Sequence, residues 1–408
     1  MISRTARQKQ CVKHWIEAGG RATVVAATGF GKTRVAMITI KQLLKIDPTA
    51  HILISVPSEV LKKQWLKELV ENNLLQNCGV EIINTIVKSE WKVDLLVCDE
   101  IHLTPTNMYS GIFTCVDYEY FLGLTGTLER LDGKEILIEK YAPVCDRITM
   151  KDALANNWVS PIREYAVMID VDLTEYYEWN RKFNGSFAFF NYVFEDAMAC
   201  ATNAKIRNKY AKKMGYDAKQ VAATAMLWMQ CLQKRKKFVM SHPKKIEIAR
   251  KILDARTNKK CITFSATIKD AEKLASKDEH VLHSKKSKKQ NETVINNFNS
   301  ATTGVLHSSK AADCGVDIKG LSVGVILSTD SSKIRKNQRN GRVCRMEEGK
   351  QAEIFTLLIR GTQEVNWHRN SASPGYIVIN EQQLDDVLDG KIVETRQQEN
   401  VENTKYRF

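Results

Sequence analysis

Residues 26–33 read Ala-Ala-Thr-Gly-Phe-Gly-Lys-Thr and lie directly between an apolar, β-branched run and a segment of helical periodicity. A turn of this composition between strand and helix commits the surrounding chain to an α/β layout. Its glycines let the backbone bend tightly, so that amides converge at a helix N-terminus and can cradle phosphate oxygens. In that reading Gly29 and Gly31 permit close approach, and Thr28 and Phe30 complete the loop. Lys32 reaches the β- and γ-phosphates of a nucleotide, and the Thr33 hydroxyl serves magnesium. The strict pattern begins with Gly where this chain has Ala26, so a coincidental glycine-rich turn is the competing reading.

Similar apolar runs recur at 23–27, 51–56, 93–98 and 121–124, and again at 261–264, 304–307, 323–327 and 353–359. Between them lie helical segments. The clearest follows Pro57, where Leu61, Trp65, Leu66, Leu69 and Val70 share one face. Strands alternating with helices predict parallel sheets, and 408 residues are too many for one core. The expected fold class is therefore α/β, with two domains at residues 1–150 and 151–380 and a polar tail at 381–408. Residues 174–241 break the rhythm and predict a helical insertion in the second domain. Its aromatic cluster (Phe183, Phe187, Phe189, Phe190, Tyr192 and Phe194) suits a core better than a base-stacking surface.

A second chemical signal sits at the end of the apolar strand 93–98, where Asp99 and Glu100 are adjacent. Asp99 suits magnesium, and Glu100 suits orienting and deprotonating an attacking water. A salt-bridged strand end is the structural alternative. Phosphoryl transfer also needs positive charge on the transition state. The segment 338–345, Gln-Arg-Asn-Gly-Arg-Val-Cys-Arg, puts Arg342 and Arg345 three apart on one helical face. They read equally well as arginine fingers or as a basic helix contacting nucleic-acid phosphates.

Composition removes other classes. No apolar run reaches the ~18–20 residues of a membrane span, and the N-terminus has no apolar signal segment. Ten scattered cysteines without a Cys-x-x-Cys pair suit a reducing compartment and give no zinc or disulfide framework. The net charge of +14 is uneven: residues 231–350 hold 27 basic and 12 acidic side chains, and the rest is nearly neutral. Lys234–Lys237, Lys285–Lys289 and the run from Lys333 to Arg345 carry much of it. Either a polyanion partner or a solvated basic face would account for this.

From about Ser3 to Arg369, the order of these segments resembles a superfamily two helicase. Residues 7–10 (RQKQ) resemble its adenine-reading Q-type motif, 26–33 its motif I, and 55–65 (SVPSEVLKKQW) its motif Ia. Residues 99–102 (DEIH) are a variant of motif II, and Thr125-Gly126-Thr127 stands where the family has Ser-Ala-Thr. Residues 262–265 (ITFS), 313–317 (DCGVD) and 338–345 resemble motifs IV, V and VI. Within the superfamily, the stretches 123–135, 153–162 and 167–179 look most like the XPB and UvsW-type DNA helicases. Arg130-Leu131-Asp132 departs from the Arg-Glu-Asp of XPB, which puts a strand-separating role for that loop in doubt.

The resemblance implies two tandem RecA-like domains, ATP and Mg2+ in the cleft between them, and a thumb-like helical insertion in the second domain. Arg7 and Gln10 would contact adenine. Gln338, Arg342 and Arg345 would complete the catalytic set of Lys32, Asp99 and Glu100. Asp317 would couple ATP to strand contacts, and His102, Thr125, Gly126 and Thr127 would link hydrolysis to domain movement. Pro57, Ser58, Thr85, Ser265, Ser309 and Lys310 would touch nucleic acid. The implied function is an ATP-dependent DNA helicase or translocase acting as a monomer on forked, branched or single-stranded DNA in replication, recombination or repair. An RNA helicase and a motor subunit of a restriction complex are the alternatives. With motif I at residue 26, a minimal cytoplasmic motor of the bacteriophage kind is the expected origin.

Overall fold

The computed structural model describes residues 2–128, 133–309, 318–329, 333–343, 351–372 and 375–391. Two wholly parallel sheets account for the described strands. The first contains β1 (Arg21–Ala26), β2 (Ile52–Val56), β3 (Cys78–Ile82), β4 (Trp91–Asp99), β5 (Val116–Thr125) and β6 (Val144–Ile148), in the order β3-β2-β4-β5-β1-β6. The second contains β7 (Ile162–Ile169), β8 (Lys260–Ser265), β9 (His280–Leu282), β10 (Gly304–Ser309), β11 (Leu321–Ile326), β12 (Ala352–Ile359) and β13 (Ile377–Asn380), in the order β13-β7-β12-β11-β8-β10-β9.

Helices cover both faces of each sheet, so the strands read as unbroken apolar runs. Because side chains alternate along a strand, each run divides between two cores. Val24, Ala26, Leu95 and Val97 enter one core of the first sheet, and Val25, Leu96 and Cys98 enter the other. In the second sheet Val323, Val325 and Phe355 face one core, and Ile262, Phe264 and Ile354 face its opposite. The expected pair of parallel α/β units is thus present as two RecA-like layers. No helix among the described residues is long and apolar enough to cross a membrane.

After β7 the chain leaves the second sheet for four helices, Thr174–Ala188, Phe194–Thr202, Ala204–Met214 and Ala218–Met240, and returns through a fifth, Pro243–Asp254, which packs in the core of the second sheet ahead of β8. The first four have a core of their own, in which Phe183, Phe187 and Phe190 pack with Cys200, Trp228 and Cys231. The aromatic cluster is therefore mostly core. Tyr192 and Phe194 are the exceptions and lie exposed.

The expectation of a polar tail from 381 requires correction. Residues Glu381–Leu388 form a helix, started by a capping box in which Asn380 and Gln383 exchange side-chain and backbone hydrogen bonds. Its Leu384 and Val387 join the core that holds Tyr165, Ile379 and Phe355. Only three apolar positions face inward, Leu388 being the third and partly buried, which hides the helix in a polar sequence. Residues 392–408 lie outside the described set. Leu384→Ala is expected to cost about 2–5 kcal/mol and to lower the thermal midpoint by about 5 °C or more. A solvated tail would show no shift in the same melting experiment.

Candidate functional site

In the first sheet β5 lies between β4 and β1, so three neighbouring strand ends open on one edge. The phosphate-type turn follows β1, the acid pair follows β4, and Thr125–Thr127 follows β5. Such an edge, at the carboxyl ends of parallel strands, is where α/β sheets bind ligands. Gly29 and Gly31 have φ of 91° and 96°, values that a side chain would strain. Gly31 precedes the helix Lys32–Ile46 and gives it no side-chain cap, which leaves its first amides to the cleft. Phe30 turns away, fully buried, edge-on to Trp158 at 5.5 Å. A Cβ on Gly126 would lie 3.1 Å from Thr28 Oγ1 and 3.7 Å from Lys32 Nζ, so the loop after β5 closes directly on the turn.

The first helix, Arg4–Glu17, braces this turn from behind. Arg4 donates to the Phe30 carbonyl at 2.8 Å and the Gly29 carbonyl at 2.9 Å, and buried Gln8 donates to Phe30 O at 2.9 Å. Sequence reasoning placed Gln10 and Arg7 here. Gln10 is instead exposed, and Arg7 is spent on a bidentate pair with Asp146 at 2.6 Å, where His14 Nδ1 also lies at 3.0 Å. Helical geometry is the reason. Gln8 shares the buried face with Cys11, Val12 and Trp15, at i, i+3, i+4 and i+7, and Gln10 does not. That spacing could have selected Gln8 from sequence.

Asp99 ends β4 and accepts from Trp65 Nε1 at 2.9 Å. Glu100 follows in the left-handed region, at φ 55°. Burial and the neighbouring Glu100 charge push the Asp99 carboxyl up to about 6. Burial also works to raise Glu100, but Lys32, the hydrogen bond from His102 and the Arg342 charge overcome it and hold this carboxyl at about 2. His102, itself buried, places Nδ1 3.2 Å from Glu100 Oε2 and 3.0 Å from Thr125 Oγ1. Thr125 then donates to the Thr127 carbonyl at 2.8 Å. The coupling candidates thus form one continuous chain from the acid to the loop beside the phosphate turn.

The opposite wall comes from the helix Lys333–Val343. A Cβ on Gly341 would fall 2.1 Å from Thr28 Cβ and Cγ2, so the backbone of this helix lies against the phosphate turn itself. Arg342 is buried and near enough to lower Glu100. The helix is held by Lys336 on Glu164 at 2.6 Å, by Asn340 on the same carboxylate at 3.2 Å, and by Arg339, which donates to Ser328 O at 2.9 Å. Gln338 lies on this helix. Arg345, Asp317, Lys310 and the loop 130–132 lie outside the described residues.

The remaining candidates line the carboxyl edges of both sheets. Pro57 and Ser58 follow β2, with Ser58 capping the helix Glu59–Glu71, and exposed Thr85 lies just beyond the neighbouring β3. Ser265 and Ser309 end adjacent strands and are register partners. Ser265 Oγ is buried without a hydrogen-bond partner among the described residues.

Comparison with known proteins converges on one kind of motor. Residues 244–347 match the family described as helicase conserved C-terminal domain, and residues 2–91 match the one described as type III restriction enzyme, res subunit. The DNA 3'-5' translocase XPB2 of Sulfurisphaera tokodaii is 25% identical over 386 residues, covering 89% of this chain and 83% of that protein. A protein of Sulfolobus islandicus filamentous virus, provisionally named helicase 22, is 24% identical over 387 residues, with 84% of this chain and 62% of the viral protein aligned. In fold, the chain is similar to S. cerevisiae Dbp5 bound to RNA and ADP BeF3, with a TM-score of 0.59, 14% identity, and coverage of 94% of this chain and 91% of that one.

The contact at Gly341 generates a test. Thr28 Cβ is fixed to its backbone and cannot swing aside, so Gly341→Ala must part the two walls. Nucleotide hydrolysis should fall about 10-fold or more, equivalent to ~1.4 kcal/mol of transition-state stabilisation, with nucleotide affinity changed by less than about 3-fold. Steady-state turnover and a fluorescent-nucleotide titration read the two quantities; unchanged turnover would show that the working site does not use this contact.

Proposed function

Because the chain belongs to the superfamily two helicases and is an ATPase of that superfamily, we propose that it is an ATP-driven DNA helicase or translocase that unwinds or remodels forked and branched DNA. One observation carries the mechanism: the backbone of the helix that bears Arg342 lies against the phosphate turn at Gly341 and Thr28, with the Arg342 charge near enough to lower Glu100, so in this reading the hydrolytic site is complete only when the two layers meet. The choice of DNA is supported by the similarity to a protein named as a DNA 3'-5' translocase, and that polarity is proposed here too.

In this reading the amides of residues 28–33 and the Lys32 ammonium hold the phosphates. Glu100, kept ionised, orients the attacking water and accepts its proton. Arg342, joined by Arg345 and Gln338 through their motif, neutralises charge developing on the transferred group. Gln8 takes the adenine-side role first given to Gln10, since it sits on the phosphate turn. The residues fit a divalent cation, because positive charge relieves two adjacent carboxylates that otherwise oppose each other, and Thr33 supplies a hydroxyl in the first helical turn. Magnesium held by Thr33 and Asp99 would neutralise the β- and γ-phosphate oxygens.

Movement would follow from the chain Glu100–His102–Thr125–Thr127, which relays the state of the acid to the loop after β5. Pro57, Ser58 and Thr85 on one sheet edge, with Ser265, Ser309 and Lys310 on the other, would grip one strand at two offset positions. Opening and closing of the cleft then ratchets the protein along the backbone, and phosphate contacts make the motion largely independent of base sequence. A motor subunit of a restriction complex is the second reading, favoured by the match of residues 2–91; co-purification of a nuclease from the native host would select it.

Hydrolysis measured at fixed salt without nucleic acid and with single-stranded DNA, forked DNA or RNA tests the proposal. Forked DNA should stimulate most, and stimulation by RNA alone would overturn the substrate assignment. Lys32→Ala and Glu100→Gln should each abolish unwinding while DNA binding stays within about 3-fold, ~0.7 kcal/mol, of the parent. Retained ATP-driven unwinding by either purified variant would sink the mechanism.

A further inference from the structure

Away from the cleft, Lys245 and Glu364 form an ion pair with relative exposures of 1% and 0%. Lys245 Nζ lies 2.6 and 2.7 Å from the two carboxylate oxygens and donates a further hydrogen bond to the Leu327 carbonyl at 2.9 Å. Glu364 accepts from Ile359 N at 3.2 Å and also from the backbone of Thr329. Both partners therefore clamp the short segment 327–329 that follows β11. The middle residue of that segment, Ser328, offers its carbonyl to Arg339 at 2.9 Å. Arg339 stands one helical turn before Arg342.

The other side of the pair faces the helical region. Gln363, next to Glu364, receives Arg235 Nη2 on its side-chain oxygen at 3.0 Å and donates its backbone N–H to Tyr176 Oη at 3.1 Å. Arg235 belongs to the helix Ala218–Met240 and packs over the Phe183 ring at 4.1 Å. Tyr177 and Leu173 seat on Gly361, where a Cβ would come within 2.9 Å of Leu173 Cδ1. Residues 361–364 thus join the helical region on one side to the ion pair on the other.

The pair is a poor device for stability alone. Burial lowers Lys245 and raises Glu364 despite their mutual attraction, so desolvation outweighs the pairing. What it supplies is position, fixing two carbonyl or amide groups that a pair of apolar side chains could not hold. We propose that Lys245 and Glu364 are positioning residues for ATP hydrolysis, holding the Arg342 helix in register and passing to it the seating of the helical region on residues 361–364. The proposal rests on the reading of Arg342 as the residue that completes the site from the second layer.

The test uses the full-length double variant Lys245→Met, Glu364→Leu, which removes both charges and preserves volume. Its melting midpoint should stay within about 3 °C of the parent or rise. The forked-DNA-stimulated kcat should fall about 10-fold while the KM for ATP changes less than about 2-fold. Glu364→Gln in the Lys245→Met background, which keeps one acceptor oxygen for the backbone amides that Glu364 holds and leaves no unpaired buried ammonium, should restore at least about half of the parent kcat. Gln363→Ala, which leaves the pair intact, should lower the stimulated rate about 3-fold without altering the rate in the absence of DNA. A folded double variant with parental kcat, or one whose kcat falls only in step with its folded fraction, would overturn the proposal. Should the double variant fail to fold, parental stimulation in Gln363→Ala would overturn it instead. Arg342→Ala serves as the reference: parental hydrolysis in that variant would remove the reading of Arg342 itself, a separate failure.

Discussion

The site depends on the electrostatic environment of one carboxylate. Glu100 lies among Lys32, His102 and Arg342, three cationic or hydrogen-bonding groups drawn from distant parts of the chain. Its left-handed backbone, at φ 55°, is a conformation that costs a non-glycine residue about 1–2 kcal/mol. That strain turns the side chain off the line of β4 and back toward His102, where it can be held. Asp99 is fixed differently, by Trp65 from the helix Glu59–Glu71, so the two adjacent acids answer to different partners. The helix that positions Asp99 begins at Ser58, on the edge proposed to meet nucleic acid. The residue that holds Glu100 in place continues into the loop after β5. One acid pair therefore stands between two segments that respond to different events.

Much of this was legible because the chemistry demands contiguous residues. The turn 26–33, the acids at 99 and 100 and the segment 338–345 each carry their signal within eight positions; the strand order of the first sheet brings the first two together, and the contact of Gly341 with Thr28 adds the helix of the third. Central strands other than β7 were equally plain, since burial on both faces makes them largely apolar; β7 was not read as a strand, because Arg163 and Glu164 interrupt its start. Edge strands were not plain. β3, β6, β9 and β13 are three to five residues long and mix buried positions with partly or fully exposed ones, too short and mixed to separate from loops. The helix Glu381–Leu388 escaped for the same reason, with three inward apolar residues among polar ones. Gln8 was overlooked in favour of Gln10 because a motif was matched by its letters, whereas the helical period decides which glutamine meets the turn.

The basic excess of residues 231–350 separates into two populations that composition cannot distinguish. Lys234, Lys236, Lys237, Lys285, Lys288 and Lys289 are exposed, which is where charge can serve a polyanion. Lys245, Arg256, Lys336, Arg339 and Arg342 are buried, and their charges meet carboxylates, carbonyls or the field of Glu100. Buried cations are costly, and three of these five lie on the single helix that reaches the phosphate turn. A helix held by charge pairs and backbone carbonyls has a few discrete seats, whereas one held by apolar packing alone can slide among many of nearly equal energy. Discrete seating is what a residue such as Arg342 requires in the proposed mechanism, because its effect on Glu100 depends on the distance between the two charges. The second layer therefore spends its sequence on polar anchors where a purely structural domain would place leucine, and the cost in stability is the condition for a site that can be made and unmade in each cycle.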